Sequence, residues 1–175
     1  KVWGILPKDR IEIKTKKEDV DYRKLIAAGS CFAEGEEVID YGFVERWILG
    51  LEEKYGVEVM QVGYDRYNAI STVQKLEANS MECVEVKQHS SVLHPPTKLL
   101  REAILKKEFA YDENRLLEIN FQNARCTEDT NLNKYVNKKR SAGKVDMVVS
   151  TIIAVYLMQQ AMLDNSELDW GIQVI

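Results

Sequence analysis

The 175-residue sequence is short of several things, and each shortage removes a class of function. Its three cysteines, Cys31, Cys83 and Cys126, are odd in number, far apart and without metal-site spacing. A disulfide framework and a zinc ribbon are thereby excluded, and the thiols are expected to be reduced, small buried residues of a cytosolic protein. Only two histidines are present, His89 and His94 in "QHSSVLHPP", and no acid stands at a spacing that argues for a triad. Substrate-loop or packing roles fit them better. Glycine-rich phosphate signatures are missing, so neither nucleotide hydrolysis nor redox chemistry is supported. No run reads as long and apolar enough to span a membrane. The closest, 147–162, is interrupted by Ser150, Thr151, Gln159 and Gln160, falls short of the ~20 residues required, and reads as a buried helix. Lys1 to Leu6 turns at once into proline and charge, unlike a signal peptide. Repeats and low-complexity segments are absent. A net charge of −4 gives no global attraction to nucleic acid, so any such binding must come from a local patch.

What is there fits one domain, long enough to bury a core without staples. The chain opens without Met inside a strand-like stretch, Val2 to Leu6, and reads as a piece of a longer polypeptide. Residues 8–21 look like a charged connector. A short helix, 22–28, is stopped by Gly29, and an acidic turn surrounds Gly35. Asp40 is placed to cap a helix in which Phe43, Val44, Trp47, Ile48 and Leu51 recur at helical spacing up to Gly56. A strand at 57–63, a helix at 68–78 and a strand at 83–86 follow. Helix and strand in alternation argue for an α/β domain with parallel strands. "QHSSVLHPPTK" reads as an irregular loop that turns helical around Pro96, then come a helix at 97–107, a strand-like "EFAYD", a polar loop and the most apolar helix. The tail, 164–175, reads as a mobile end or a docking segment.

Two features carry chemistry. "VGYDRYNA" puts Asp65 at the C-terminal end of a strand, where α/β sheets place their ligands, although Asp65 or Asn68 could equally cap the next helix. The loop before the last helix holds Lys134, Lys138, Lys139, Arg140 and Lys144, with no acid between Asp129 and Asp146. Such a loop can hold phosphates, or it can be a solvated counterweight to an acidic surface. Asp146, near the first turn of a helix, can complement the helix dipole. Brought beside Asp65, it would instead supply oxygen ligands for divalent cations that activate water against a phosphodiester. Spacing does not show that the two aspartates meet.

The order of "DYRKLIAAG", "EGEEVIDYGFVERWILGLEEKYGVEVMQVGYDRYNAISTVQKLE", "VEVKQHSSVLHPPTKLLREAIL" and "KKRSAGKVDMVVSTIIAVYL" resembles the C-terminal nuclease domain of tailed-phage terminase large subunits. The resemblance covers most of residues 1–163, and it implies a ribonuclease H-like fold, a mixed sheet with helices on both faces. The activity it implies is Mg²⁺- or Mn²⁺-dependent endonucleolytic cutting of concatemeric viral DNA during genome packaging, in the cytoplasm of a bacterial host and away from any membrane. Double-stranded DNA, the terminase small subunit and the portal protein are the implied partners. Asp65 and Asp146 match two acidic metal ligands of the family, and Lys138, Lys139 and Lys144 would face DNA. Gln88, His89, Lys98 and Asn123 fall on motifs that suggest a substrate loop. The family's first catalytic aspartate lies on a strand upstream of Val2, so this chain is expected to lack that strand and the ATPase motor before it. A non-catalytic DNA-gripping or docking module, truncated or degenerate, is the alternative expectation.

Overall fold

β1 (Gly4–Leu6) pairs in parallel with β2 (Cys31–Ala33), Gly4 opposite Cys31, in a computed structural model that describes residues 1–66 and 69–164. Parallel neighbours need a crossover. Here it is a 3-10 turn (Lys8–Arg10), α1 (Ile11–Glu18) and α2 (Tyr22–Ala27), so the segment expected as a charged connector is largely helical. α1 buries no residue. Its signal lies in charge spacing: Lys14 meets Glu18 one turn on at 3.3 Å, and Glu12 pairs with Arg23 of α2. Gly29 ends the α2 region at φ 75°, as expected. In the acidic turn Gly35 has φ 81°, and a Cβ there would lie 2.0 Å from the Val38 carbonyl oxygen, so only glycine fits.

Asp40 caps α3 (Tyr41–Leu49), its carboxylate accepting the Gly42 N–H at 2.8 Å, and α4 (Leu51–Tyr55) continues to Gly56. β3 (Val62–Tyr64) then pairs in parallel with β4 (Cys83–Glu85), and α5 (Ile70–Ala78) forms the crossover. β3 starts later than the 57–63 expected from composition. The reason is visible at Val59, whose N–H is taken by the Glu52 carboxylate at 2.9 Å instead of by a neighbouring strand.

α6 (Ser90–Leu105) starts before the 97 expected and runs through Pro95 and Pro96, so "SSVLHPPTK" is helix and not loop. Prolines remove helix donors. A buried stripe of Leu93, Pro96, Thr97 and Leu100 at intervals of three and four offsets that loss. "EFAYD" forms no strand, and α7 (Arg115–Asn123) follows it. β5 (Cys126–Glu128) and β6 (Lys134–Val136) form an antiparallel hairpin, and α8 (Asp146–Asp164) closes the described chain.

The α/β class and the parallel crossovers are as expected. Among the described residues the strands are grouped in three separate pairs, two parallel and one antiparallel. Strands of three residues, each bonded to one neighbour, leave the layer to be joined by helix packing. α8 does this joining. Val148, Ile152 and Ile153 sit in one core cluster with Val86, Leu93 and Leu100, while Met147 reaches into a second with Leu6, Tyr22, Leu25 and Leu117. By length and composition α8 does meet the requirement for crossing a membrane, at 19 residues and mean hydropathy 1.4, which corrects the shorter apolar run read from the sequence. It packs against α6, α7 and β3 within the fold. Residues 165–175 of the tail, and Asn68, lie outside the described residues.

Candidate metal and DNA-binding site

Asp65 follows β3 directly and is half-buried. The N-cap position of α5 is held by Ala69 rather than by Asp65, with no side-chain cap bond. Instead Asp65 lines a cleft of about 540 Å³ together with Gln88, Asn137, Lys138 and Lys139, floored by Val149 and Ile152 of α8. α8 can approach this closely because residue 63 is glycine. A Cβ there would lie 2.5 Å from Ile153 Cγ2 and 2.9 Å from Leu157 Cδ1. Glycine in a strand often marks such a close approach.

Asp146 opens α8, and its side chain is 63% exposed. The dipole-capping role proposed for it is partly filled from elsewhere. The buried Asn120 of α7 accepts the Met147 N–H at 3.2 Å and donates to the Leu116 carbonyl at 2.9 Å. The Asp146 carboxylate faces two ammonium groups, Lys138 at 3.8 Å and Lys144 at 3.9 Å. Lys138 also lines the Asp65 cleft, so it stands between that cleft and Asp146. Val149, which floors that cleft, stands three residues after Asp146, and positions so spaced are neighbours on a helix surface. Asp146 itself borders a second hollow, of about 200 Å³, with Lys14, Tyr22, Cys31 and Lys144. The aspartates thus border neighbouring hollows.

The basic loop is folded by its own amides and by α7. Asn137 Oδ1 accepts from the N–H groups of Lys139 and Arg140, and the Ser141 hydroxyl donates to the Asn137 carbonyl. Asn123 acts here too, as a brace for the loop: its side chain donates to the Lys144 carbonyl at 3.2 Å, and its own carbonyl accepts the Ala142 N–H. A Cβ at Gly143 would stand 2.7 Å from that Asn123 amide nitrogen. Gln88 donates to the Val86 carbonyl, and His89 caps α6 by accepting the Ser91 N–H. Lys134 lies apart from the loop, on β6, paired with Glu128 at 2.8 Å. Lys98 pairs with Glu102 along α6 at 3.9 Å. Sequence reasoning missed Asn120 and Asn137. A lone amide inside the apolar stripe of Leu116 and Leu117 was the available signal for Asn120.

Burial pushes the Cys31 thiol up to about 11, and burial together with the Glu18 carboxylate that accepts its hydroxyl raises Tyr22 well above the ordinary phenol. Both therefore stay protonated beside Asp146 at neutral pH. Among the described residues no group of three or more His, Cys, Asp or Glu converges. Two carboxylates still match the donor chemistry of Mg²⁺, which is commonly bound through one or two carboxylates plus substrate phosphates.

The family model described as terminase large subunit, endonuclease domain, matches residues 1–162. The chain belongs to that family. A solved structure, the crystal structure of the HK97 bacteriophage large terminase, is similar in fold at a TM-score of 0.77 and 19% identity. The match covers 89% of this chain and 32% of the HK97 chain, so the domain spans about a third of that protein's length. No curated protein matches the chain.

Proposed function

We propose that the chain is the metal-dependent endonuclease domain of a phage or prophage terminase large subunit, following an ATPase motor in the whole protein and cutting concatemeric viral DNA during packaging. On this reading the fold is ribonuclease H-like, and an upstream strand completes both the sheet and the acidic set. The observation that carries it is the junction of α8 with the Asp65 cleft: Val149 and Ile152 floor the cleft, and Lys138 lines it while contacting Asp146. Asp65 and Asp146 would hold Mg²⁺ or Mn²⁺. Bound there, the metal supplies an activated water and stabilises the leaving oxygen of a phosphodiester. Lys138, Lys139, Arg140 and Lys144 receive backbone phosphates, which position DNA without reading its sequence. Lys138 then has two competing partners, the Asp146 carboxylate and a phosphate. Double-stranded DNA is the substrate, the small subunit and portal are partners of the whole protein, and the host cytoplasm is the place of action.

A plasmid-nicking assay with Mn²⁺ tests the reading, on this chain and on the chain extended upstream by about 60 residues, room for further strands of ordinary length. Asp65→Ala and Asp146→Asn should abolish cutting while the circular dichroism spectrum is unchanged. A folded Asp146→Asn protein that nicks at the parent rate would refute the assignment. The second reading, a DNA-gripping or docking module without catalysis, is favoured by the small number of convergent acids among the described residues. It expects salt-sensitive DNA binding that needs no divalent cation and survives Asp65→Ala, with no cutting by any form.

A further inference from the structure

His94, which the candidate site does not use, ties the β5–β6 hairpin to α6. Its Nδ1 accepts the backbone N–H of Lys134 at 2.7 Å. Four residues earlier, on the same face of the helix, the Ser90 hydroxyl donates to Asp129 Oδ2 at 2.6 Å. Asp129 in turn closes the hairpin, accepting the N–H groups of Asn131 and Asn133 and the Asn133 side chain. The two anchors therefore grip the hairpin at its turn and at the first residue of β6. From Lys134 the chain runs directly through β6 into Asn137, Lys138 and Lys139, which line the Asp65 cleft together with Gln88 just before α6.

We propose that His94 is a positioning residue: neutral, with its proton on Nε2, it fixes β6 and the basic loop against the Asp65 cleft, and its protonation releases them. The loop's role in this rests on the DNA-site reading above, whereas the anchor itself does not. Nδ1 accepts only while it carries no proton, and an imidazolium presents N–H at both nitrogens, so against the Lys134 N–H it would set donor to donor. Imidazole is the side chain that ordinarily changes charge between pH 5 and 8. The other anchor does not respond in that window, because the Ser90 hydroxyl and then Asn133 hold the Asp129 carboxyl well below the usual range. The remaining titratable or charged groups on the packed elements are His89 at the cap of α6, Lys98, Arg101 and Glu102 on α6, Cys126, Glu128, Lys134 and Tyr135 on the hairpin, and Asp146, Tyr156 and Asp164 on α8. Glu128 is paired with Lys134, Lys98 with Glu102, and the His89 ring bonds to Ser91 within its own cap.

The test is the hydrogen-exchange protection of the Lys134 amide, corrected for intrinsic rate, at pH 7.5 and 5.5, in the 175-residue chain and in His94→Asn. An asparagine oxygen can accept in place of Nδ1 and does not titrate. The parent should lose about tenfold protection at the lower pH, the scale of one net hydrogen bond, while His94→Asn keeps its protection at both. Duplex DNA binding without divalent cation should weaken with acid more in the parent than in His94→Asn. Parent protection that does not change with pH would overturn the proposal, as would a parallel loss in His94→Asn, which would place the sensitivity at His89 or elsewhere. The expected protection pattern in a protein that never cuts DNA would leave the anchor standing and remove the nuclease reading alone.

Discussion

Gly63→Ala tests whether the close approach of α8 to β3 builds the site. The added Cβ would stand 2.5 Å from Ile153 Cγ2 and 2.9 Å from Leu157 Cδ1, whereas carbon atoms rest at about 3.5–4.0 Å. Relief needs a shift of about 1 Å, and both neighbours are buried core residues on one helix. Overpacking of this kind costs about 1–3 kcal/mol. For a chain of this size that lowers Tm by roughly 2–12 °C. The functional cost should exceed the stability cost, because the helix pushed away carries Asp146 at its start, and the strand pushing it leads into Asp65 two residues later. A misplacement of about 1 Å can reduce catalysis on the order of 100-fold. The assays are a thermal melt and Mn²⁺ nicking on whichever length of chain cuts. Ile153→Ala in the same protein removes the nearest clash, so the double variant should be more active than Gly63→Ala alone, a non-additive result expected of residues in contact. An unchanged Tm together with unchanged nicking in Gly63→Ala would show that the helix has slack here, and the argument would fail.

Asn120→Ala strands the buried Met147 N–H, at a cost of about 1–3 kcal/mol, and should lower the melting temperature accordingly. A melt that matches the parent would show that this N–H finds another acceptor. Cys31, raised to about 11 by burial, contributes stability that is complete below the unfolded thiol value of 9 and is lost as pH rises through 11. The denaturant midpoint should therefore fall between pH 9 and 11, and Cys31→Ala should make that fall shallower. Equal slopes in the two proteins would rule out the thiol as a contributor.

Local rules were legible wherever one residue decides its own surroundings. Asp40 capping α3, Gly29 and Gly56 ending helices, and Asp65 following a strand all depend on contacts within a few residues. Asp146 at the head of the apolar helix is of the same kind, and so is the order of motifs that suggested the family. The misses have the opposite character. α1 lacks an apolar face, so its periodicity is carried by ion pairs. α6 begins ahead of two prolines, where a local reading places a loop, because its buried stripe faces α8 and β6.

The sequence alone determined which side chains could hold a cation or a phosphate, since hard oxygens and ammonium groups are properties of residue type. Only the tertiary structure decided which of them lie side by side. It set Lys134 apart from the basic loop in a pair with Glu128, paired Lys98 with Glu102 along α6, and turned Asn123 into a brace for that loop. It also set Lys138 between the Asp65 cleft and Asp146, which are distant in the chain. Such proximity comes from long-range packing of α8 on β3, which no spacing along the chain encodes.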